Sequence, residues 1–143
     1  MTDELKQVRV RFDEGETGWG REVEPGRVLI DNIPISDRLN IDDLVEVDPK
    51  ETGFLNIIRV LERAFPGKTA IRYSEPYKET YGKLYKAWHD AGMKCEGPFE
   101  GLVIVAHQAG QDPVKVALDA GVTVTLNDPQ PALEAIQADL VRS

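Results

Sequence analysis

Residues 54–73 read "FLNIIRVLERAFPGKTAIRY". Phe54, Ile57, Ile58, Leu61 and Phe65 recur at helical spacing, whereas the β-branched content of the run favours a strand. The Pro66-Gly67 pair decides between them: a turn there, followed by "KTAIRY", predicts two strands joined as a hairpin. Everything before the first helix is then β.

The upstream sequence agrees. In "VRVRF" (8–12), Val8, Val10 and Phe12 alternate with Arg9 and Arg11, the period-two pattern of a half-buried strand. "GWGREVEPGRVLIDNI" (18–33) reads as a hairpin hinged at Pro25-Gly26. Pro-Gly favours a type II turn, which matches strand twist poorly, so a bulge or longer loop is expected. Simple pairing puts Trp19, Val23, Val28 and Ile30 on one face, with Arg21 among them. After Pro34, "DDLVEVD" (42–48) supplies a short strand that Pro49 ends, since proline cannot donate into a ladder.

Downstream the pattern alternates. "EPYKETYGKLYKAWHDAG" (75–92) is a helix with Pro76 in its first turn, Ser74 as a candidate cap and Gly92 as its stop. "GLVIVAH" (101–107) is a buried strand, Asp112-Pro113 opens a helix ending at Gly121, and "VTVTL" (122–126) is a strand. Asp128-Pro129 opens a terminal helix with Leu133, Ile136 and Leu140 on one side. The predicted fold class is α+β: a mainly antiparallel N-terminal β lobe forming a small barrel-like sheet, then a β-α-β-α-β-α C-terminal lobe. The 143 residues suit a single domain, 1–143, with lobes 1–50 (β-rich) and 51–143 (α+β).

Composition narrows the function. With 41% hydrophobic and 29% charged residues, the chain is ordinary for a soluble globular protein. Its net charge is −8, and residues 1–72 and 73–143 each contribute −4. An even acidic balance disfavours a nucleic-acid partner, which needs a concentrated basic stripe to displace counterions. The simplest reading of the charge is solubility. Cys95 is alone, so no intrachain disulfide forms. The start "MTDELKQ" carries no apolar signal core, and "LVIVA" (102–106) is too short to span a membrane. No membrane association and a cytoplasmic location are expected.

Several of these segments share a known order. Trp19 before a strand, then "GRVLIDNIPI", "DDLVEV", "GKTAIR" and "AGMKCEG", resembles a bacterial family of small proteins known only as a domain of unknown function. In that family an aromatic residue precedes a strand ending in an Asn-x-Pro-aromatic turn. An Asp-x-Val strand, a Gly-x-x-Thr hairpin and a helix ending in Gly-Cys-x-Glu follow. The resemblance covers roughly residues 8 to 107. Ile35 stands where the family usually has an aromatic, Asp42 where glycine is common, and Met93-Lys94 precede Cys95. The resemblance implies a bacterial cytoplasmic α+β domain and carries no established activity.

Each candidate chemistry has a plainer competitor. "PGKTA" (66–70) is similar to the end of a phosphate-binding loop, but Glu62 stands where that loop needs its first glycine, and a carboxylate repels phosphate. On the long helix Leu84, Tyr77, Trp88 and Tyr81 form an apolar stripe, and Tyr85 and His89 are i,i+4 neighbours at its rim, where their polar tips could reach a ligand. His89, Asp90, Cys95 and Glu96 lack the paired spacing of a structural zinc site, so no metal and no cofactor are expected. His107 could join the rim in space, and a locally bonded strand-end histidine is the simpler reading. Ser36 and Ser74 have no Gly-x-Ser-x-Gly elbow, so no catalytic residue is assigned.

The arginines Arg9, Arg11, Arg21 and Arg27 could line an RNA-facing sheet, but Glu22 and Glu24 in the adjacent strand favour cross-strand charge pairing. Asp31, Asp42, Asp43 and Glu46 show no spacing that a catalytic pair requires, and short carboxylates at a turn bond nearby amides. The expectation is a binding or regulatory module recognising a protein partner or its own copy. Two alternatives stand beside it: a small-ligand binder or enzyme with a cleft at Tyr85, His89 and His107, and an acidic inhibitor that imitates nucleic acid.

Overall fold

The computed structural model describes residues 5–127. It is a mixed α+β fold with a closed five-stranded barrel and a second, four-stranded sheet. The barrel strands follow chain order: β1 (Lys6–Asp13), β2 (Glu16–Glu24), β3 (Arg27–Ile30), β4 (Leu44–Val47) and β5 (Phe54–Glu62). Neighbours are antiparallel except at the closure, where Arg9–Arg11 of β1 run parallel to Phe54–Asn56 of β5.

Period-two alternation fills the barrel. Val10, Phe12, Val28, Ile30, Leu39, Val45, Val47 and Leu55 make its core. From β2 the inward positions are Gly18 and Gly20, both buried. A Cβ on Gly18 would lie 2.3 Å from the Phe12 ring, and one on Gly20 would lie 2.4 Å from Val28 Cγ1. Large neighbours therefore require glycine here, and Trp19 between them is turned outward. This corrects the expected face: Trp19 is 38% exposed while Val28 and Ile30 are fully buried. The bulge expected near Pro25-Gly26 is a register shift between Glu22 and Glu24.

The stretch 54–62 is a strand, and it closes the barrel. The predicted hairpin with the next strand is not formed, because β6 (Gly67–Tyr73) belongs to the second sheet, ordered β7-β8-β6-β9. The expected C-terminal alternation is also corrected. α1 (Tyr77–Asp90) is followed by two strands, β7 (Lys94–Phe99) and β8 (Leu102–His107), then by α2 (Pro113–Asp119) and β9 (Val124–Leu126). The overlooked strand is β7, whose Gly97 and Pro98 hide it from a propensity reading. The terminal helix expected after Asp128 lies outside the described residues.

Contacts divide the chain into two compact units: one runs to Lys68 and takes in Ala106–Gln111, the other holds Thr69–Val105 and resumes at Asp112. The lobe boundary expected at 50/51 thus falls at 68/69, because β5 completes the barrel. In the second unit Ile71, Leu84, Trp88, Val103, Val105 and Ala117 are fully buried. The Trp88 indole donates to Pro113 O at 2.9 Å, so its polar edge is satisfied where it is buried. The N-cap position of α1 is Pro76, with no side-chain cap, so Ser74 does not serve, whereas Asp112 caps α2 by accepting from the amides of Val114 and Lys115 at 3.0 and 3.2 Å.

Candidate functional site

The outward side of β2, β1 and β5 carries an unusual row. Arg9 has Trp19 as its β2 partner and Phe54 as its β5 partner. Its guanidinium carbon lies 4.4 Å from the Trp19 ring centroid and 4.9 Å from that of Phe54, and Arg11 lies 5.6 Å from Phe54. Each stack is a cation–π contact of about 0.5–1 kcal/mol at an exposed site. Trp19 and Phe54 stay 38% and 40% exposed. Among the described residues neither Arg9 nor Arg11 meets a carboxylate, carbonyl or hydroxyl. The cross-strand pairing expected for the four arginines therefore divides: Arg27 pairs with Glu24 at 3.2 Å and Arg21 with Asp31 at 3.3 Å, while Arg9 and Arg11 stack on rings.

The row is held from behind by the loop between β3 and β4. Asn32 Oδ1 accepts the Trp19 amide at 2.7 Å, and Trp19 O accepts the Asp31 amide at 2.9 Å. Glu16 accepts the amides of Ile35 and Ser36 at 2.6 and 3.0 Å. Lys68 donates to Pro34 O, Ser36 O and Leu39 O at 2.5, 2.6 and 2.7 Å, using all three of its N–H groups. Burial lowers the Lys68 ammonium from 10.5 to about 8, against the pull of Glu16, Asp37 and Asp43. Lys68 is thus a clamp on the loop and holds no phosphate-loop geometry.

The four carboxylates of the 31–46 region are structural in their contacts. Asp31 and Asp42 face Arg21 at 3.3 and 3.9 Å, and Glu46 pairs with Arg59 at 2.7 Å. Asp43 is fully buried, accepts the Asn40 amide at 2.8 Å and takes two bonds from Arg63 at 3.2 and 3.1 Å. Burial raises its carboxyl, and the Asn40 amide and Arg63 oppose the rise. Asp42 has φ 63°, in the left-handed region that favours glycine.

The residues singled out on the long helix lie in the second unit. Tyr85 and His89 stack with centroids 5.9 Å apart and planes 6° apart, and both are exposed. They end a ring series that passes through Tyr81 to Tyr73, which is buried. Tyr81 bonds the Cys95 thiol, which burial pushes up to about 11, so Cys95 is a neutral thiol near pH 7. His107 belongs to the barrel unit, where it packs on Gly67 and its Nδ1 lies 3.0 Å from Gln108 O. Among the described residues no group of three His, Cys, Asp or Glu side chains could hold a metal ion, and no helix is long and apolar enough to cross a membrane.

Sequence reasoning missed the Trp19–Arg9–Phe54 row as a unit. The signal that could have found it is "GWG": two inward glycines force the large residue between them outward.

No family model and no curated protein matches the chain. Among solved structures it is similar to a hypothetical protein from Neisseria gonorrhoeae, at 17% identity over 88% of this chain and 96% of the other, with a TM-score of 0.46.

Proposed function

We propose that this protein is a small binding module that docks a protein partner on the outer face of β1, β2 and β5. The observation that carries the reading is Arg9 stacked between Trp19 and Phe54 on the surface. Tryptophan and arginine are the residue types that dominate binding energy at protein interfaces, and rings held by a rigid sheet lose little entropy on docking. The buried core of the barrel has no need of these side chains, which lie on its far side. Exposed Ile58 extends the apolar surface along β5.

The test is affinity capture from lysate of the encoding organism, at low and moderate salt, with wild type, Trp19→Ala and Phe54→Ala compared. A stoichiometric protein partner retained by wild type and lost by about 30-fold or more in Trp19→Ala is the expected result. Sedimentation of the pure protein checks whether the partner is a second copy. Recovery of no partner that depends on Trp19, together with no Trp19-dependent self-association, defeats the reading.

A further inference from the structure

Building on that reading, we infer that the face recognises an extended acidic segment of a partner protein, in the order acidic-x-acidic-x-apolar, through Arg9 and Arg11. A guanidinium held over a ring keeps an N–H edge that donates to a carboxylate in two parallel bonds. Both stacked arginines have this edge unused among the described residues. They are two apart on β1, so their Cα atoms are about 6.7 Å apart, the same backbone repeat as alternate residues of any extended chain. Two alternating carboxylates on a partner therefore match them in register.

Beyond Arg11 a hollow of about 390 Å³ opens, lined by the apolar Leu39, Ile57, Ile58 and Val60 and by charged side chains that include Asp13 and Arg59. The described pairing of β1 with β5 ends at Asn56, and β5 is bulged at Ile58 and again at Leu61, which opens this space. An aliphatic side chain following the two acids enters it.

Nucleic acid fits this face less well. A base-stacking platform needs bare ring faces, and here the guanidinium occupies the sides of Trp19 and Phe54 turned toward it.

The experiment titrates the full chain with a capped Gly-Glu-Thr-Glu-Thr-Leu-Gly peptide, the same peptide with Gln for Glu, and a ten-residue oligothymidylate, following the arginine Nε–H signals by NMR. Saturable shifts at Arg9 and Arg11 are expected with the acidic peptide, with Kd on the order of 100 μM. Weakening of about tenfold is expected with the Gln peptide, and in Arg9→Gln, Arg11→Gln and the charge-retaining Arg9→Lys, whose melting temperatures check that they fold. Equal affinity for the Gln peptide, tighter binding of the oligothymidylate, or no shift at millimolar peptide overturns the inference. A captured partner that depends on Trp19 yet is not displaced by the acidic peptide defeats the inference alone and leaves the binding-module reading standing.

Discussion

Two residues of the barrel unit show what backbone and charge demand of single positions. Asp42 holds φ 63°, which aspartate tolerates and β-branched residues do not. Asp42→Gly should stay within about 0.5 kcal/mol of wild type, while Asp42→Val should cost about 2 kcal/mol in urea unfolding. Lys68 satisfies three loop carbonyls at once, so Lys68→Met should cost about 2–4 kcal/mol. Its pH signature has a definite sign. Folded, Lys68 titrates at about 8, and unfolded at its ordinary 10.5, so between these values the unfolded chain holds the extra proton. Unfolding then takes up a proton, and the Lys68 contribution to stability rises as pH climbs from about 8 toward 10.5. The wild-type minus Lys68→Met difference in unfolding free energy isolates this rise from the other titrating groups. A flat difference across that window would show that the ammonium is not buried at its ordinary cost.

At the scale of elements, β2 is the most constrained strand. Gly20→Ala places a methyl against Val28 and the Leu29 carbonyl, and should cost about 1–3 kcal/mol by thermal or urea unfolding. Asp112→Ala removes the cap of α2 and should cost about 1 kcal/mol by the same measurement. How far such elements were legible depends on their periodicity. α1 was readable because Leu84 and Trp88 recur on one face and Gly92 stops the helix. The strand at 54–62 was readable through its β-branched residues and the Pro-Gly that follows. Its partner was not, since local sequence says that a chain turns but not which sheet receives the next strand. β7 was missed for a local reason, Gly97 and Pro98 inside it, and the outward set of Trp19 was missed because strand facing was counted from apolar residues instead of from the glycines. The Trp19–Arg9–Phe54 row needed tertiary structure as well: Arg9 meets Phe54 only because β5 returns to close the barrel, 45 residues along the chain.

At the scale of the whole molecule, two cores share no residue. Leu55→Ala in the barrel and Leu84→Ala beneath α1 should each cost about 3 kcal/mol, and the double variant should equal their sum within about 0.5 kcal/mol. Urea unfolding followed by far-UV signal and by the fluorescence of buried Trp88 checks both values, and a shortfall in the double variant would reveal shared packing.

The inward glycines of β2 carry a broader consequence. They leave the lumen beside β2 filled, with Phe12 where a side chain at position 18 would go and Val28 where one at position 20 would go. Strand alternation then separates the outer surface from the core, residue by residue. Positions 9, 11, 19 and 54 lie on the face away from the core, so substitution there gives up only their mutual cation–π contacts. A library randomised at those four positions would leave the barrel core unchanged, and partner capture by its members would test the proposed docking face.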